Sequence, residues 1–229
     1  KPIKAYNKMI PSEPWKKVCT SNDWTAAALD ILGGKRGITG EFKYSTLGVQ
    51  IVNGIIAAAS GMKTIDFVNK YLFEPLEIPK HRNKEDISKE DQFDYLMSKL
   101  PKGDVWYADP QGINTAGWGL ALSATDMARI GLLCLNHGEY QGKRIVSGEW
   151  IDAISKPHIR LGDNFGNMSY GFLWWIIDEK EGIYAAIGDG GNVIYVNPKS
   201  NIAVGVAGTF KPRIFDRVQF IQSHIEPIL

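Results

Sequence analysis

Near residue 166 the spacing of apolar residues changes, and that change constrains the fold more than any other feature of the sequence. Upstream of it, apolar residues recur every three or four positions in segments punctuated by Gly and Pro, the pattern of amphipathic helices. Downstream come four short β-rich runs, Tyr170 to Ile177, Ile183 to Ile187, Asn192 to Val196 and Ile202 to Ala207, separated by turn-forming clusters. They read as an antiparallel meander. Ile214, Val218, Ile221 and Ile225 then put one apolar face on a C-terminal helix suited to lie on that sheet. Helices and an antiparallel sheet that segregate into layers make an α+β protein. The expected organisation is one domain over 1–229, mostly helical over 1–165, with antiparallel strands and a closing helix over 166–229.

Within the helical part, Phe42-Lys43-Tyr44-Ser45-Thr46 leads into an apolar segment that runs to Ser60 and closes on Gly61. Leu47, Ile51, Val52, Ile55, Ile56 and Ala59 share one face, which is expected to be buried. Ser45 or Thr46 suits the N-cap, Gly61 the C-cap, and Gly48 and Gly54 suggest close approach by another backbone. Tyr44 therefore stands at the mouth of a rigid element. Ser21-Asn22-Asp23 is expected to cap a helix to Leu32 that Gly33-Gly34 ends. Thr64 is expected to cap another that buries Ile65, Val68, Tyr71 and Leu72 and stops before Pro75. The charged stretch 80–89 reads as a solvated loop, and Phe93, Leu96, Met97 and Leu100 mark a short helix. Ser123 and Asp126 form a capping box for a helix from Thr125 to Asn136, and Ser147 caps one more through Ile154. Residues 1–18, broken by Pro2, Pro11 and Pro14, are irregular.

Several functions are unsupported. A formal charge of +1, with no basic run interleaved with aromatics, gives no field for nucleic acid or an anionic membrane. No apolar run approaches the roughly 20 residues of a membrane span. Cys19 and Cys134 make neither a disulfide framework nor a metal site, and Cys134 reads as a plain buried thiol. The histidines at 81, 137, 158 and 224 lack metal-ligand spacing. No metal or other cofactor is expected. There is no Gly-x-Ser-x-Gly elbow for an α/β-hydrolase triad. The turn Gly188-Asp189-Gly190-Gly191-Asn192 lies between two strands and opens no helix, so it is not a phosphate loop, though it suits a hairpin.

Tyr44-Ser45-Thr46 with its helix, Gly61 to Phe67, Leu72 to Ile78, Trp106 to Gly112, Ala116 to Leu120, Asp126 to Arg129 and the strand-rich end together resemble the serine β-lactamase and penicillin-binding-protein-like family. That family includes class C β-lactamases, bacterial esterases and 6-aminohexanoate-dimer hydrolases. The resemblance implies a β-lactamase/transpeptidase-like fold, in which a Ser of a Ser-x-x-Lys motif attacks a carbonyl while the Lys and a Tyr share the proton traffic. Tyr44 matches that Tyr. A phenol, with a pKa of about 10, serves as base near neutrality only beside a stabilising cation. Trp106, Tyr107, Asn114 and Trp118 fall in a segment that lines the substrate cleft in the family, though they also suit the packing of a long ordered loop. On the strand before the glycine turn, ungapped placement puts the family's Lys-Thr-Gly triplet at Ala186-Ile187-Gly188. The backbone N–H of Asp189 is then an oxyanion donor, with Gly188 and Gly190 beside the substrate. Ala186 lacks the polar group expected there and the Asp189 carboxylate stands at the edge of the hole, and both departures count against β-lactam binding; a shift of register by a residue or so would alter this assignment. Thr46 likewise stands where class C enzymes carry Asn.

The one Ser-x-x-Lys present, Ser60-Gly61-Met62-Lys63, is rejected as the nucleophile because Ser60 ends a helix, whereas a nucleophile gains from a helix N-terminus. The family spacing places the nucleophile upstream of Lys1. The expectation is therefore the C-terminal part of a serine hydrolase acting on a small ester or amide, inert by itself, completed by an absent N-terminal segment. Alone, the fragment is expected to dimerise or aggregate through exposed apolar surface. The competing reading is a non-catalytic binding or scaffold protein that keeps the fold.

Overall fold

Helix starts follow the capping residues. In the computed structural model, which describes residues 17–33, 40, 42–84, 95, 102–162, 165–166, 168–188, 190–208 and 215–229, α1 spans Trp24–Leu32 with Asp23 as N-cap, its carboxylate accepting from the Ala26 N–H. Helix α2 spans Thr46–Ser60; Ser45 caps it by accepting from Gly48 N–H at 3.1 Å, and Gly61 ends it in the left-handed conformation. Helix α3, Thr64–Val68, is capped by Lys63 without a side-chain bond. The hydroxyl of Thr64, the expected cap, instead donates to the Asn53 carbonyl at 3.3 Å. A π-helical turn, Asn69–Phe73, continues α3. Its wider winding turns Phe73 into the core and leaves Tyr71 47% exposed, against the expectation that Tyr71 is buried.

The chain divides into two compact units, 1–121 and 122–229. In the first, the buried face of α2 is not the apolar one. Val52, Ile55 and Ala59 are exposed, and Gln50 and Asn53 are buried. The cause lies in the irregular stretch beside them. The Asn114 carbonyl accepts from Gln50 Nε2 at 3.2 Å and Asn53 Nδ2 at 2.9 Å, and Ala116 N–H donates to Gln50 Oε1 at 3.3 Å. Backbone groups that no regular ladder satisfies must find side chains when buried. A second departure is β1, Arg82–Lys84, inside the stretch expected to be a loop; it pairs in parallel with β2, Val105–Tyr107. The expected helix near Phe93 to Leu100 lies outside the described residues.

The second unit is a six-stranded antiparallel sheet covered on both faces. Strands β5 (Ile159–Arg160), β6 (Ser169–Tyr170), β7 (Trp175–Asp178), β8 (Ile183–Gly188), β9 (Asn192–Asn197) and β10 (Ile202–Val206) lie in sequence order across it. A small hairpin of β3, Glu139–Tyr140, and β4, Lys143–Arg144, stands apart. The run Tyr170 to Ile177 is two strands rather than one, folded back where Gly171 N–H bonds the Trp174 carbonyl at 2.8 Å. One sheet face presents Trp175, Ile183, Ala185, Ile187, Val193 and Tyr195 to Val218 and Ile221. Those two residues belong to the closing helical segment, α6 over Phe215–Phe220 and its π-helical continuation Ile221–Ile225. The other face presents Ile176, Tyr184 and Val196 to Cys134 of α4 (Ala124–Leu135) and to Ile151 and Ile154 of α5 (Gly148–Ile154). Burial pushes the Cys134 thiol up to about 12. The unit boundary thus falls at 121, not at the change of period near 166, because α4 and α5 bury their apolar faces on the sheet. No single helix among the described residues is long and apolar enough to cross a membrane.

Helix α4 lies close over β10 because residue 205 has no side chain. A Cβ there would stand 2.3 Å from the Ala124 carbonyl oxygen and 2.6 Å from Ala128 N. Both are backbone atoms and cannot rotate away. Gly205→Ala is expected to destabilise the protein by about 1–3 kcal/mol, the usual cost of overpacking. A urea midpoint unchanged from wild type would show that helix and strand do not meet this closely.

Candidate active site

Tyr44 is 55% exposed and sits one residue before the cap of α2. Thr46, the first residue of α2, packs against the loop 105–121. A Cβ on Gly117 would lie 2.5 Å from Thr46 Cγ2, so the loop 105–121 and the first turn of α2 are in direct contact. Within that loop Trp106 and Tyr107 are buried, and Trp106 Nε1 donates to the Thr115 carbonyl at 2.7 Å. Trp118 is half-buried between Trp24, 6.4 Å between ring centroids, and Tyr107, 5.0 Å. Asn114 is fully buried; its Nδ2 donates to Asn83 Oδ1 at 2.9 Å, while its Oδ1 has no hydrogen-bond partner among the described residues. The structure therefore brings Tyr44, Trp106, Tyr107, Asn114 and Trp118 into one unit. Packing accounts for Trp106, Tyr107 and Asn114, and Trp118 alone of the four loop residues keeps part of its surface.

Sequence reasoning passed over two supports of this arrangement. Gln50 and Asn53 are hidden in the text as polar interruptions of an apolar helix. Asp109 is legible as a turn residue but also binds across the unit. Its Oδ1 accepts from Gln111 N–H at 3.0 Å and Ile113 N–H at 2.8 Å, and its Oδ2 accepts from Trp24 N–H at 3.1 Å. One carboxylate thus holds both the loop and the first turn of α1.

In the second unit, Gly188 ends β8 opposite Asn192, and Gly190 is buried. Asp189 lies outside the described residues. Gly191, with φ +93°, is covered by Arg217, whose Nε would be 2.9 Å from a Cβ at that position. Strand β8 pairs with β9 along its whole length but with β7 only as far as Ala185. Ala186, Ile187 and Gly188 thus have one sheet edge without a strand partner among the described residues. Ser60 offers no alternative nucleophile. Its hydroxyl donates to the Ile56 carbonyl at 2.6 Å and accepts from Met62 N–H at 3.2 Å, at the C-terminal end of α2. No cluster of three or more His, Cys, Asp or Glu among the described residues could hold a metal ion.

Helices with an antiparallel sheet make this an α+β chain, and its likeness to solved structures shows the β-lactamase/transpeptidase-like fold. The sequence profile of the Beta-lactamase family matches residues 35–219, and the chain belongs to that family of serine hydrolases. It is similar to the 6-aminohexanoate-dimer hydrolase of Paenarthrobacter ureafaciens, with 22% identity over 175 residues, 73% of this chain and 39% of that protein. Among solved structures, a candidate 6-aminohexanoate-dimer hydrolase from Bacillus anthracis superposes with a TM-score of 0.59 at 22% identity, covering 82% of this chain and 44% of that one. The octameric penicillin-binding protein homologue from Pyrococcus abyssi gives 0.58 at 18% identity, over 90% and 49%. The chain spans less than half the length of each of these three relatives.

Burial raises the pKa of Asp109 despite the three N–H donors that favour its charged form, with the nearby Asp23 adding to the rise. A raised folded-state value means the fold binds this proton more tightly than the unfolded chain does. The stability that follows is complete below the ordinary value of about 3.9 and is lost as pH climbs through the raised one. Asp109→Asn removes this titration. The urea midpoint of wild type relative to Asp109→Asn should therefore fall between pH 3.5 and pH 7. A relative gain over that range would show that the N–H donors outweigh burial.

Proposed function

We propose that this chain supplies part of a serine hydrolase that cleaves an ester or amide through an acyl-enzyme. The carrying observation is Tyr44: an exposed phenol at the head of α2, held there by the Ser45 cap and by the contact of Thr46 with Gly117. In this reading a Ser outside these 229 residues attacks the substrate carbonyl, and its proton passes to the Tyr44 phenolate, which a neighbouring Lys from the same outside segment keeps charged. The proton then goes to the departing alkoxide or amine, and the C–O or C–N bond breaks. A water then gives a proton to the same Tyr as its oxygen attacks the acyl carbon; the ester bond to the Ser breaks, the Ser oxygen takes that proton back, and the acid leaves. The N–H of Asp189, the residue that follows Gly188 in sequence, is proposed as an oxyanion donor, with Gly188, Gly190 and Trp118 as substrate contacts.

The amide-cleaving name of the Paenarthrobacter relative supports the amide side of the proposal. The octameric state of the Pyrococcus neighbour supports self-association as a further proposal. β-Lactams are not favoured as substrates, since Ala186 brings no cation to β8. That same absence is what would favour a binding protein without chemistry, and the test separates the two.

In the protein expressed from its full gene, Tyr44→Phe is expected to lower the turnover of a p-nitrophenyl ester by roughly 10²- to 10⁴-fold, the range for a positioned base. Ser60→Ala should leave it unchanged. Residues 1–229 alone should take no label from a fluorophosphonate. Undiminished turnover by Tyr44→Phe removes Tyr44 from the mechanism, and a wild type that turns over neither esters nor amides leaves the binding reading.

A further inference from the structure

We propose that Leu173, at the tip of the β6–β7 hairpin, is a specificity-determining residue that receives an aliphatic group of the substrate next to the bond cleaved. The identity of that substrate as an ester or amide rests on the hydrolase reading above. Three observations, all within the second unit, lead to Leu173.

The first is the open edge. The β7–β8 ladder ends at Trp175 opposite Ala185, while β8 continues for three more residues paired only with β9. Exposed N–H and C=O groups along such an edge suit an extended ligand with its own amide or ester group. The second is where the hairpin points. Because β7 is antiparallel to β8, the residues before Trp175 run toward the same end of the sheet as Ala186 to Gly188. The hairpin nonetheless leaves the ladder, since Gly171 is pressed against the end of α5; a Cβ there would lie 2.1 Å from the Ile154 carbonyl oxygen and 3.0 Å from that of Lys156. Gly171 to Trp174 form the turn, so Leu173 lies toward the end of the sheet where Ala186 to Gly188 have no second strand partner among the described residues.

The third is Leu173 itself. Its φ is +66°, a left-handed conformation that costs an L side chain stability and that Gly or Asn adopts readily. It is also 49% exposed, so burial does not offset the strain. Its neighbour Phe172, though 46% exposed, is committed to a ring stack with His158 at 4.0 Å and Trp150 at 5.8 Å. Strain that packing does not compensate is a pointer to function. A turn selected for stability alone would carry Gly here, and an exposed isobutyl group at the end of the sheet where β8 has an open edge fits an aliphatic chain flanking a carbonyl.

The test compares p-nitrophenyl acetate with p-nitrophenyl butyrate in the full-gene protein and its Leu173→Asn and Leu173→Gly variants. Wild type should prefer the butyrate in kcat/KM, and both variants should lose roughly tenfold of that preference, the scale of a methylene contact in an apolar pocket. Neither variant should lower Tm, because each relieves the backbone. An equal preference in wild type and variants, or none in wild type, overturns the proposal, and a lowered Tm with unchanged preference would make Leu173 a packing residue only. Should wild type hydrolyse neither ester, the hydrolase reading fails and the site is read by binding. Butyramide, but not acetamide, should then shift the Leu173 methyl signals in a leucine-labelled NMR spectrum; no shift overturns the proposal there too.

Discussion

The carbonyl of Asn114 has to be bonded, and much of the first unit follows from how that is done. It lies in a stretch with little regular secondary structure, is fully buried, and accepts from two amide side chains on one helix, Gln50 and Asn53. Leaving such a group unsatisfied costs about 1–3 kcal/mol, a large part of a typical domain's stability. Satisfying it requires the polar stripe of α2 to face inward. Rotated that way, the helix brings Thr46 against Gly117 and presents Tyr44 beyond its cap. The exposure of Val52 and Ile55 is the other side of the same rotation.

This explains what was legible in the sequence and what was not. Caps and turns depend on residues a few positions apart, so Asp23, Ser45, Ser123 and Ser147 mark helix starts correctly, and Ser123 with Asp126 makes the expected capping box. The C-terminal meander is legible because strands buried on both faces read as short, continuous apolar runs bounded by turn-forming clusters. What failed was inference about which face of α2 is inside, since an apolar stripe and a polar stripe compete and the deciding partner lies some 60 residues away in sequence. The two-residue strands β5 and β6 were too short to show a period, and Leu173 in a turn position gave no Gly or Asn to announce the hairpin. For the candidate site, Tyr44 and the glycine turn rest on the resemblance alone; Gln50, Asn53 and Asp109, which brace the loop 105–121, carry no local signal of that role.

His81 shows how the same demand shapes the rest of the first unit. Its backbone N–H and C=O are both bonded by the Asn69 side chain, and its ring nitrogens lie 2.8 Å from the Pro79 carbonyl oxygen and 2.6 Å from that of Ala121. The π-helical turn positions Asn69 for this, so an irregular helix end and an irregular loop end are joined through one buried side chain. The loop 105–121 is held by Asp109 near its start, by Gln50 and Asn53 at its middle and by His81 at its end. Anchoring at three points keeps the largely irregular segment that follows β2 in one conformation.

The parity of β8 limits what the second unit can offer a substrate. Ile183, Ala185 and Ile187 face the closing helical segment, in the cluster with Val218 and Ile221, while Tyr184 faces α4 and α5. Successive strand residues alternate, so Ala186 and Gly188 share the face of Tyr184. Moving the family's triplet by one residue would place Ile187 at its polar position, and a polar group there would be buried among Trp175, Val193 and Ile221 without a partner. Burial of Ile187 thus disfavours a polar group at that position of β8. What β8 itself contributes is backbone, three residues of open edge ending in a glycine turn, and an edge of that kind discriminates by the shape and apolar character of what lines it rather than by charge.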